Sequence, residues 1–211
     1  MSIFTLMIRE ITVSEFLTTD MPLIDVRSPG EYEKGHIPGA VSVPLFSDEE
    51  RAHIGTVYTN QSAGKAIELG MGYATPKREW YLHKAGEVAR GRSIAVHCWR
   101  GGMRSQAFAG HLHDHGFPDV IVITGGYKAY RSYLHDYFNT PFDFRIIGGY
   151  TGSGKTGIIR ELQHQGIQAV DLEAIARHKG SSFGALGCEK QPTSEQFEND
   201  LFDQFRPLDV A

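Results

Sequence analysis

The feature that most constrains the fold is a glycine-containing loop between a short apolar run and an amphipathic one. The apolar run Ser93–Val96 predicts a buried strand, and the residues at 97–105 that follow are His-Cys-Trp-Arg-Gly-Gly-Met-Arg-Ser. From Arg104 onward, apolar residues recur at helical spacing, which predicts a helix. The sequence therefore predicts an α/β domain in which Cys98 lies at the end of a strand, just before a helix.

The loop around Cys98 is predicted to attract negative charge. Its backbone N–H groups converge where the next helix begins, and a helix N-terminus favours anions. Arg100 and Arg104 add positive charge nearby. These features favour a thiolate and lower the pKa of Cys98. A lone cysteine is more often buried and inert, but the combination of two glycines, two arginines and a helix start favours a reactive one.

Two kinds of chemistry use such a loop. The pattern His-Cys-x5-Arg-Ser matches the signature of cysteine-dependent phosphatases, in which the cysteine attacks phosphorus and the arginine binds the equatorial oxygens. The same arrangement also carries a sulfur atom on cysteine as a persulfide, usually on a slightly shorter loop. The loop by itself leaves both chemistries open. The predicted active-site loop comprises Cys98 with Trp99, Arg100, Gly101, Gly102, Met103, Arg104 and Ser105.

Length and composition limit the class of protein. The chain has 211 residues, no secretory signal and no long apolar span, which predicts a soluble, cytoplasmic chain of one to two domains without a membrane partner. Its two cysteines, Cys98 and Cys188, give neither a disulfide framework nor a metal-ligand spacing. Three histidines alternate along a predicted helix and so point apart, and no metal site is predicted there; they are His111, His113 and His115.

The charge of the chain is uneven. The net charge is −4, yet residues 90–160 contain nine Lys and Arg against four Asp and Glu, a local charge of +5 around the reactive loop. A basic region can bind a polyanion such as RNA. The alternative is that these side chains bind small phosphates or are solvated, and charge alone favours that alternative. Four tyrosines share one face of a later predicted helix, where core packing is favoured over stacking on RNA bases. They are Tyr127, Tyr130, Tyr133 and Tyr137.

The residues before the loop alternate between strand and helix patterns. Residues 11–18 predict a strand running into a short helix, and residues 22–27 predict a buried strand that ends in charge. The charged residues there, Asp25 and Arg27, either take part in catalysis or join neighbouring loops through an ion pair, and we favour the ion pair. Residues 47–90 are predicted to be mostly helical. The remaining strands are predicted at 41–43 and 119–124.

Three motifs in this part of the chain resemble those of a rhodanese domain in order and spacing. They are Asp-Val-Arg-Ser-Pro-Gly-Glu-Tyr at 25–32, Gly-His-Ile-Pro-Gly-Ala at 35–40 and the Cys98 loop about sixty residues later. The resemblance covers residues 10–138 and implies a mostly parallel sheet flanked by helices. It implies that Cys98 carries a chalcogen atom. Other residues of the motifs would be structural, namely Asp25, Arg27 and His36.

A second anion-binding motif follows the break at 139–141. Residues 149–156 form a full Gly-x4-Gly-Lys-Thr loop between a predicted strand at 142–147 and a predicted helix from Gly157. In such a loop the backbone amides close on phosphate, the lysine reaches the outer phosphates and the threonine can ligate Mg²⁺. The predicted phosphate-binding residues are Gly149, Gly152, Ser153, Gly154, Lys155 and Thr156.

The part of the chain after this loop is short for a domain. A further strand is predicted at 168–172, and Asp171 in it either approaches the phosphate site or caps the next helix. From Phe144 to Ala211 there are 68 residues, against the roughly 100–150 of a common domain. We therefore expect a partial, truncated P-loop NTPase-like domain.

The combination of a rhodanese-like domain, a phosphate-binding loop and Gly-Ser-Ser-Phe-Gly at 180–184 is similar to bacterial tRNA 2-selenouridine synthases. This resemblance implies replacement of sulfur by selenium in wobble 2-thiouridine, through S-geranyl-2-thiouridine. It implies selenophosphate and geranyl diphosphate as substrates, a selanyl intermediate on Cys98 and no tightly bound cofactor. Mg²⁺ at Thr156 is expected separately, from the phosphate-binding motif. The implied partners are the anticodon arm of tRNA and a selenophosphate-producing enzyme.

We therefore predict a rhodanese-like catalytic domain at 10–138, a linker at 139–143 and a partial P-loop domain at 144–211. Two other functional classes stay open. One is a rhodanese-type sulfurtransferase or a Cys-x5-Arg phosphatase, and the phosphatase needs a general acid such as Asp25. The other is a non-catalytic module that binds anions or RNA and contains an inert cysteine.

Overall fold

The chain divides into two compact units, residues 1–133 and 134–211. The computed structural model describes residues 8–91, 93–117, 119–150, 152–180 and 189–208. Cys188 and residues 181–184 of the Gly-Ser-Ser-Phe-Gly motif lie outside the described residues. Of the helices that the described residues form, none has the length and apolar character needed to cross a membrane.

The first unit is built on a five-stranded sheet in which every neighbouring pair of strands is parallel. The strand order is β1-β5-β4-β2-β3. In chain order the strands are β1 (Arg9–Ile11), β2 (Leu23–Asp25), β3 (Val41–Ser42), β4 (Ile94–His97) and β5 (Val120–Ile123). The predicted α/β fold with a parallel sheet is confirmed. Cys98 directly follows β4, the central strand of the sheet, which has two strands on each side.

Helices cover the sheet, and several of them begin directly after a residue whose side chain caps the helix N-terminus. Thr12 and Ser47 each accept a hydrogen bond from the backbone N–H three residues later, and the glutamate at that position bonds back. The predicted helical character of residues 47–90 is confirmed. The helices in chain order are α1 (Val13–Phe16), α2 (Pro29–Lys34), α3 (Asp48–Asn60), α4 (Ala63–Ala74), α5 (Arg78–Ala89), α6 (Met103–Asp114) and α7 (Gly126–Phe138).

The core of the first unit lies on both faces of the sheet. All four residues of β4 and all four of β5 are buried, as continuous apolar strands of a doubly covered parallel sheet require. Phe108 and Leu112 of α6 pack in the same core. Tyr127 and Tyr130 of α7 are buried, so core packing is confirmed for these two tyrosines.

The second unit contains helices but not the predicted strands. Residues 141–150 and 168–171 have no strand structure, and Ile146 is 92% exposed. The predictions of strands at 142–147 and 168–172 are therefore wrong. A strand needs neighbours for its backbone N–H and C=O groups, and the described residues of this unit form no other strand to supply them. The helices are α8 (Lys155–His164), α9 (Leu172–Ile175) and α10 (Ser194–Phe205).

Aromatic side chains form the packing that the second unit does have. Phe202 of α10 is buried, and its ring centre lies 5.1 Å from that of Tyr137. The Tyr137 hydroxyl donates to the carbonyl oxygen of Phe205 over 3.0 Å. Phe142, within the predicted linker, packs 5.4 Å from Tyr137. The two units divide at residues 133 and 134, and the limits of the linker stay a prediction.

Candidate active site

Cys98 lies in a tight loop between β4 and α6. Gly102 precedes the first residue of α6, and Gly101 has a φ of +64°, in the left-handed region that favours glycine. A Cβ atom on Gly101 would lie 2.5 Å from the carbonyl oxygen of Ile123, at the end of β5. The loop can therefore pack this closely against β5 only because residue 101 has no side chain.

The first turn of α7 binds the outer side of the same loop. The N–H of Tyr127 donates to the carbonyl oxygen of Cys98, and the N–H of Lys128 donates to that of Trp99, each over 2.9 Å. Gly126 has a φ of +55°, and a Cβ atom there would collide with the carbonyl oxygen of Cys98. Two carbonyl groups of the loop are thus turned towards α7.

The sulfur of Cys98 is held on the inner side, among hydrogen-bond donors. Cys98 is 3% exposed, and its Sγ lies 3.3 Å from the hydroxyl oxygen of Ser105. Burial raises the pKa of this thiol, but the Ser105 hydroxyl, the N–H groups of Arg100 and Ser105 and the charge of Arg104 together lower the pKa below its ordinary value. The site therefore stabilises a thiolate.

The two arginines of the loop contribute differently. Arg100 is exposed and contributes its backbone N–H to the sulfur, whereas Arg104 is partly buried and contributes its charge. The guanidinium of Arg104 donates to Glu31 over 2.8 Å, and Arg51 lies 3.4 Å from the same carboxylate. Burial raises the pKa of Glu31, but hydrogen bonding and the charge of Arg104 lower it overall. Glu31 therefore stays ionised and holds Arg104 beside the loop.

A buried ion pair lies under the loop. The Nε and Nη2 atoms of Arg27 donate to both carboxylate oxygens of Asp25, and Nη2 also donates to the carbonyl oxygen of Gly35 over 2.7 Å. Both side chains are 0% exposed. The guanidinium carbon of Arg27 lies 3.8 Å from the ring centre of Tyr127. The predicted ion pair is confirmed, but it lies within one segment, and the contact with the next loop is the hydrogen bond from Arg27 to Gly35.

This pairing leaves Asp25 unsuited to donate a proton. Burial raises the pKa of Asp25, but His97 and the doubly bonded Arg27 lower it overall. Burial lowers the pKa of His97, whose Nε2 lies 3.5 Å from the carboxylate. An ionised, fully buried carboxylate cannot act as the general acid that a Cys-x5-Arg phosphatase needs. Asp25 is therefore not a candidate for that general acid.

The phosphate-binding motif of the second unit has part of the expected shape. Gly152 and Gly154 have φ values of +80° and +83°, and α8 begins at Lys155 and Thr156. The Nζ of Lys155 donates to the carbonyl oxygens of Gly149 and Tyr150 over 2.9 and 3.1 Å. The roles predicted for this loop in phosphate binding, including those of Ser153 and Thr156, stay predictions.

Asp171 takes the structural role that was one of its two alternatives. Its carboxylate accepts a hydrogen bond from the N–H of Ala174 over 3.1 Å and caps α9.

Comparison with protein families agrees with these two units. The sequence model of the rhodanese-like domain matches residues 12–133, more than half of the chain. The chain belongs to the rhodanese-like domain family. Residues 142–208 match a second model, described as the tRNA 2-selenouridine synthase AAA domain. The order of the two matches is the order predicted from the motifs.

Curated relatives that match most of this chain are named tRNA 2-selenouridine synthase. The protein from Cupriavidus pinatubonensis is 40% identical over 190 residues, which cover 85% of this chain and 49% of the relative. The protein from Pseudomonas fluorescens is 40% identical over 89% of this chain and 51% of its own length. The chain therefore spans about half the length of these relatives.

A solved structure supports the fold of the rhodanese-like unit. The N-terminal domain of a Clostridium difficile 630 protein, described as ATP/GTP binding, is 37% identical with a TM-score of 0.56. The similarity covers 59% of this chain and 97% of that domain.

One residue of the rhodanese-like site was missed by sequence reasoning. Glu31 lies 73 positions before Arg104, and its place three residues after Ser28 indicates only a helix cap. That capping role is also present, since Glu31 accepts a hydrogen bond from the N–H of Ser28. The spacing of Ser28 and Glu31 therefore indicates the helix cap but not the contact of the same carboxylate with Arg104.

Proposed function

We propose that the rhodanese-like unit accepts selenium on Cys98 and supplies it for the replacement of sulfur by selenium in the wobble 2-thiouridine of tRNA. The observation that carries this proposal is the stabilised thiolate of Cys98 within a loop of N–H donors. The names of the relatives support the tRNA substrate and the element transferred.

The environment of Cys98 suits a carrier of a soft, negatively charged atom. A thiolate is the nucleophilic form of cysteine, and sulfur and selenium are both soft atoms that bond readily to each other. Once selenium is attached to the sulfur, the selenium carries the negative charge. The same N–H groups and Arg104 then stabilise that charge. The low pKa of the thiol also speaks against an inert cysteine in a purely binding module.

The loading step takes selenium from selenophosphate. A small-molecule disulfide first oxidises Cys98: the thiolate attacks one sulfur of the disulfide, one thiolate leaves, and a mixed disulfide forms on Cys98. The selenium of selenophosphate then attacks the sulfur of Cys98 and forms the S–Se bond, and the second thiolate leaves. Water attacks phosphorus, the Se–P bond breaks with its electron pair on selenium, and orthophosphate leaves. The product on the protein is a selanyl-cysteine anion.

The transfer step uses S-geranyl-2-thiouridine as the acceptor. The selanyl anion attacks C2 of the base, the C2–S bond breaks, and geranyl thiolate leaves and takes up a proton. A small-molecule thiol then attacks the sulfur of Cys98, and the S–Se electron pair stays with the selenium of the nucleoside. A second thiol molecule reduces the resulting mixed disulfide and restores Cys98.

The remaining ligands follow from the predicted motifs. We assign the diphosphate of geranyl diphosphate, or a nucleotide, to the loop at 149–156, with Lys155 on the outer phosphates and Mg²⁺ at Thr156. The anticodon arm of tRNA is assigned to the basic region of 90–160, where the local charge is +5. A selenophosphate-producing enzyme is the proposed source of the donor.

The test is selenium loading of the purified chain. After incubation with selenophosphate and a small-molecule disulfide, intact-mass spectrometry should show one adduct with the isotope pattern of selenium, and orthophosphate should appear in equal amount above a protein-free control. Cys98→Ser should abolish both, while Cys188→Ser, the matched change at the other cysteine, should abolish neither. A phosphoryl adduct on Cys98, or rapid release of phosphate from p-nitrophenyl phosphate, would overturn the proposal in favour of a phosphatase.

The complete reaction is tested in cells that lack 2-selenouridine. Nucleoside mass spectrometry of their tRNA is compared after expression of this chain, of its Cys98→Ser variant, of a full-length relative and of that relative with the matching cysteine replaced by serine. Selenouridine with the full-length relative but not with its own cysteine variant supports the role proposed for Cys98. Selenouridine in both refutes it.

A further inference from the structure

The rhodanese-like unit contains a large cavity with a volume of about 770 Å³ between α3, α4 and α6. Ligand sites of this size are usually apolar, with a few polar groups at fixed places. We call this space the apolar cavity. The larger apolar side chains that line it are Phe46, Ile54, Tyr58, Ile67, Met71 and Phe108.

Apolar side chains at this cavity remain open to solvent. Tyr58, Ile67 and Met71 are 59%, 43% and 57% exposed, and all three line the same space. Single exposed apolar residues are normal on a protein surface, but a group that faces one cavity marks a binding site. A ligand that covers them must itself be apolar, because only then does its burial remove unfavourable contacts with water.

The lining also contains positive charge. Arg51, Arg78 and Arg104 lie among the lining residues, and none of the described residues that line the cavity is acidic. Glu31 offsets part of this charge, since it contacts both Arg51 and Arg104. An apolar cavity with arginines at its edge fits a hydrocarbon chain joined to an anionic group.

The cavity reaches the reactive loop. Met103 and Arg104 line the cavity and also belong to the loop of Cys98. Arg104 is close enough to the sulfur to lower its pKa. One end of a chain bound in the cavity therefore lies beside the loop that holds the thiolate.

We infer that the apolar cavity binds the hydrocarbon substituent of an alkylated tRNA base and so places the C2–S bond of that base at the Cys98 loop. The identification of the substituent as geranyl rests on the proposed function. The preference for an apolar chain with an anionic group at one end rests on the cavity alone. In this arrangement α3 and α4 select the chain, the arginines face the RNA phosphates, and the base lies beside the Cys98 loop.

Two glycines allow a matched test. Gly55 on α3 lines the cavity, and a Cβ atom there meets nothing within 4 Å, so that Gly55→Leu fills the space without a backbone clash. Gly64 on α4 is equally open but does not line the cavity, so that Gly64→Leu is the control. Both changes replace a helical glycine and should not lower the unfolding temperature.

The ligand is an anticodon stem-loop RNA that carries S-geranyl-2-thiouridine, and calorimetry measures its affinity. We expect geranylated RNA to bind Gly55→Leu about tenfold more weakly than the unsubstituted chain. Gly64→Leu should bind it as the unsubstituted chain does. RNA with plain 2-thiouridine should bind all three proteins equally. Equal affinity of geranylated RNA for Gly55→Leu and Gly64→Leu would overturn the inference.

Free geranyl phosphate and inorganic phosphate separate binding of the hydrocarbon from binding of the phosphate group. Weaker binding of geranyl phosphate to Gly55→Leu, with no change for inorganic phosphate, supports recognition of the hydrocarbon in the cavity. Because the loop at 149–156 is also proposed to bind such a ligand, both measurements are repeated in Lys155→Ala. Equal binding of geranyl phosphate to Lys155→Ala and to Lys155→Ala with Gly55→Leu would overturn the inference for the free molecule.

Selenium loading separates this inference from the proposed function. Loading of Cys98 in Gly55→Leu should equal that of the unsubstituted chain, because the cavity takes no part in it. If Cys98 loads but no geranylated ligand depends on the cavity, the inference fails and the proposed function stands. If the cavity binds the chain but Cys98 never loads, the proposed function fails instead.

Discussion

The chain has two glycine-containing loops with anion-binding motifs, and the two loops differ in the secondary structure that precedes them. In the rhodanese-like unit the loop at 97–105 follows β4, which has β2 and β5 hydrogen-bonded on its two sides. In the second unit the loop at 149–156 follows residues 141–148, which have no strand structure and include the 92% exposed Ile146. Both loops lead into a helix, but only the first begins at the end of a hydrogen-bonded strand.

The comparison shows what a strand contributes to an anion-binding loop. β4 fixes the position of Cys98, and contacts from β5 and α7 then allow no side chain at Gly101 or Gly126. At Gly152 and Gly154 an added Cβ atom meets nothing within 4 Å. The first loop is therefore preorganised by its neighbours, while the second is shaped by local backbone angles and by Lys155, which bonds to carbonyl oxygens of its own loop.

The largest predicted difference concerns the charged residue under each loop. Arg27→Leu leaves the buried carboxylate of Asp25 without its partner and should lower the free energy of unfolding by about 3–5 kcal/mol. Lys155→Leu removes a half-buried side chain with two hydrogen bonds to carbonyl oxygens of its own loop and should lower it by about 1 kcal/mol or less. Urea denaturation followed by circular dichroism measures both. Similar losses would show that the two loops are equally supported.

The next difference concerns glycines with positive φ. Gly126→Ala should lower the free energy of unfolding by at least about 2 kcal/mol, because the new Cβ atom combines an unfavourable φ with a collision at Cys98. Gly154→Ala faces only the φ penalty and should cost about 1 kcal/mol. Chemical denaturation of both variants gives the values. A smaller loss for Gly126→Ala than for Gly154→Ala would contradict the tight packing of the first loop.

A smaller difference is expected for the two acidic caps. Glu31→Gln weakens the contact with Arg104 as well as a helix cap and should cost about 1 kcal/mol. Asp171→Asn keeps a capping oxygen on α9 and should change stability by less than about 0.5 kcal/mol. The ionic-strength dependence should differ too, since only the Glu31 contact involves a cation in the structure described here. Equal salt dependence would argue against the Glu31–Arg104 pair.

Ser105→Ala is predicted to lower the free energy of unfolding by about 1 kcal/mol, through loss of one hydrogen-bonding hydroxyl. Its main effect is on pH dependence, because the lost hydroxyl raises the pKa of Cys98. The midpoint of the iodoacetamide rate against pH should lie below that of the urea-unfolded chain, and should move up in Ser105→Ala. A midpoint in the native chain at or above the unfolded value would refute the thiolate.

The same pKa has a consequence for stability with a defined sign. A thiol whose pKa is lowered by folding stabilises the folded state fully above the unfolded pKa of about 8.5. This stabilisation is lost as the pH falls through the lower folded pKa. Unfolding free energy should therefore rise more steeply between neutral and alkaline pH in the unsubstituted chain than in Cys98→Ala.

Much of the rhodanese-like unit was predictable because its signals are local. The apolar runs of β4 and β5, the cap at Thr12 and the glycines around Cys98 each act over a few residues. The ion pair of Asp25 with Arg27 was also predictable, since the two residues are only two positions apart.

The features that were missed depend on distant partners. Glu31 meets Arg104 only because β2 and β4 are neighbours in the sheet, and no periodicity in the sequence records that. The apolar cavity requires α3, α4 and α6 to leave a space between them, whereas sequence patterns report only which residues are apolar. The prediction of a strand at 142–147 was wrong because the apolar pattern is present but the described residues offer no neighbouring strand.

The two hydrogen bonds from the start of α7 have a directional effect on the loop of Cys98. A peptide group carries its oxygen and its N–H on opposite sides, so that anchoring the oxygens of residues 98 and 99 outwards turns the amides of residues 99 and 100 inwards. The preference of this loop for an anion is thus set by a helix that begins more than twenty residues later in the chain. Replacing either donor by proline would free one peptide plane to rotate, and the sulfur would lose part of its positive surroundings without any change in the residues that touch it.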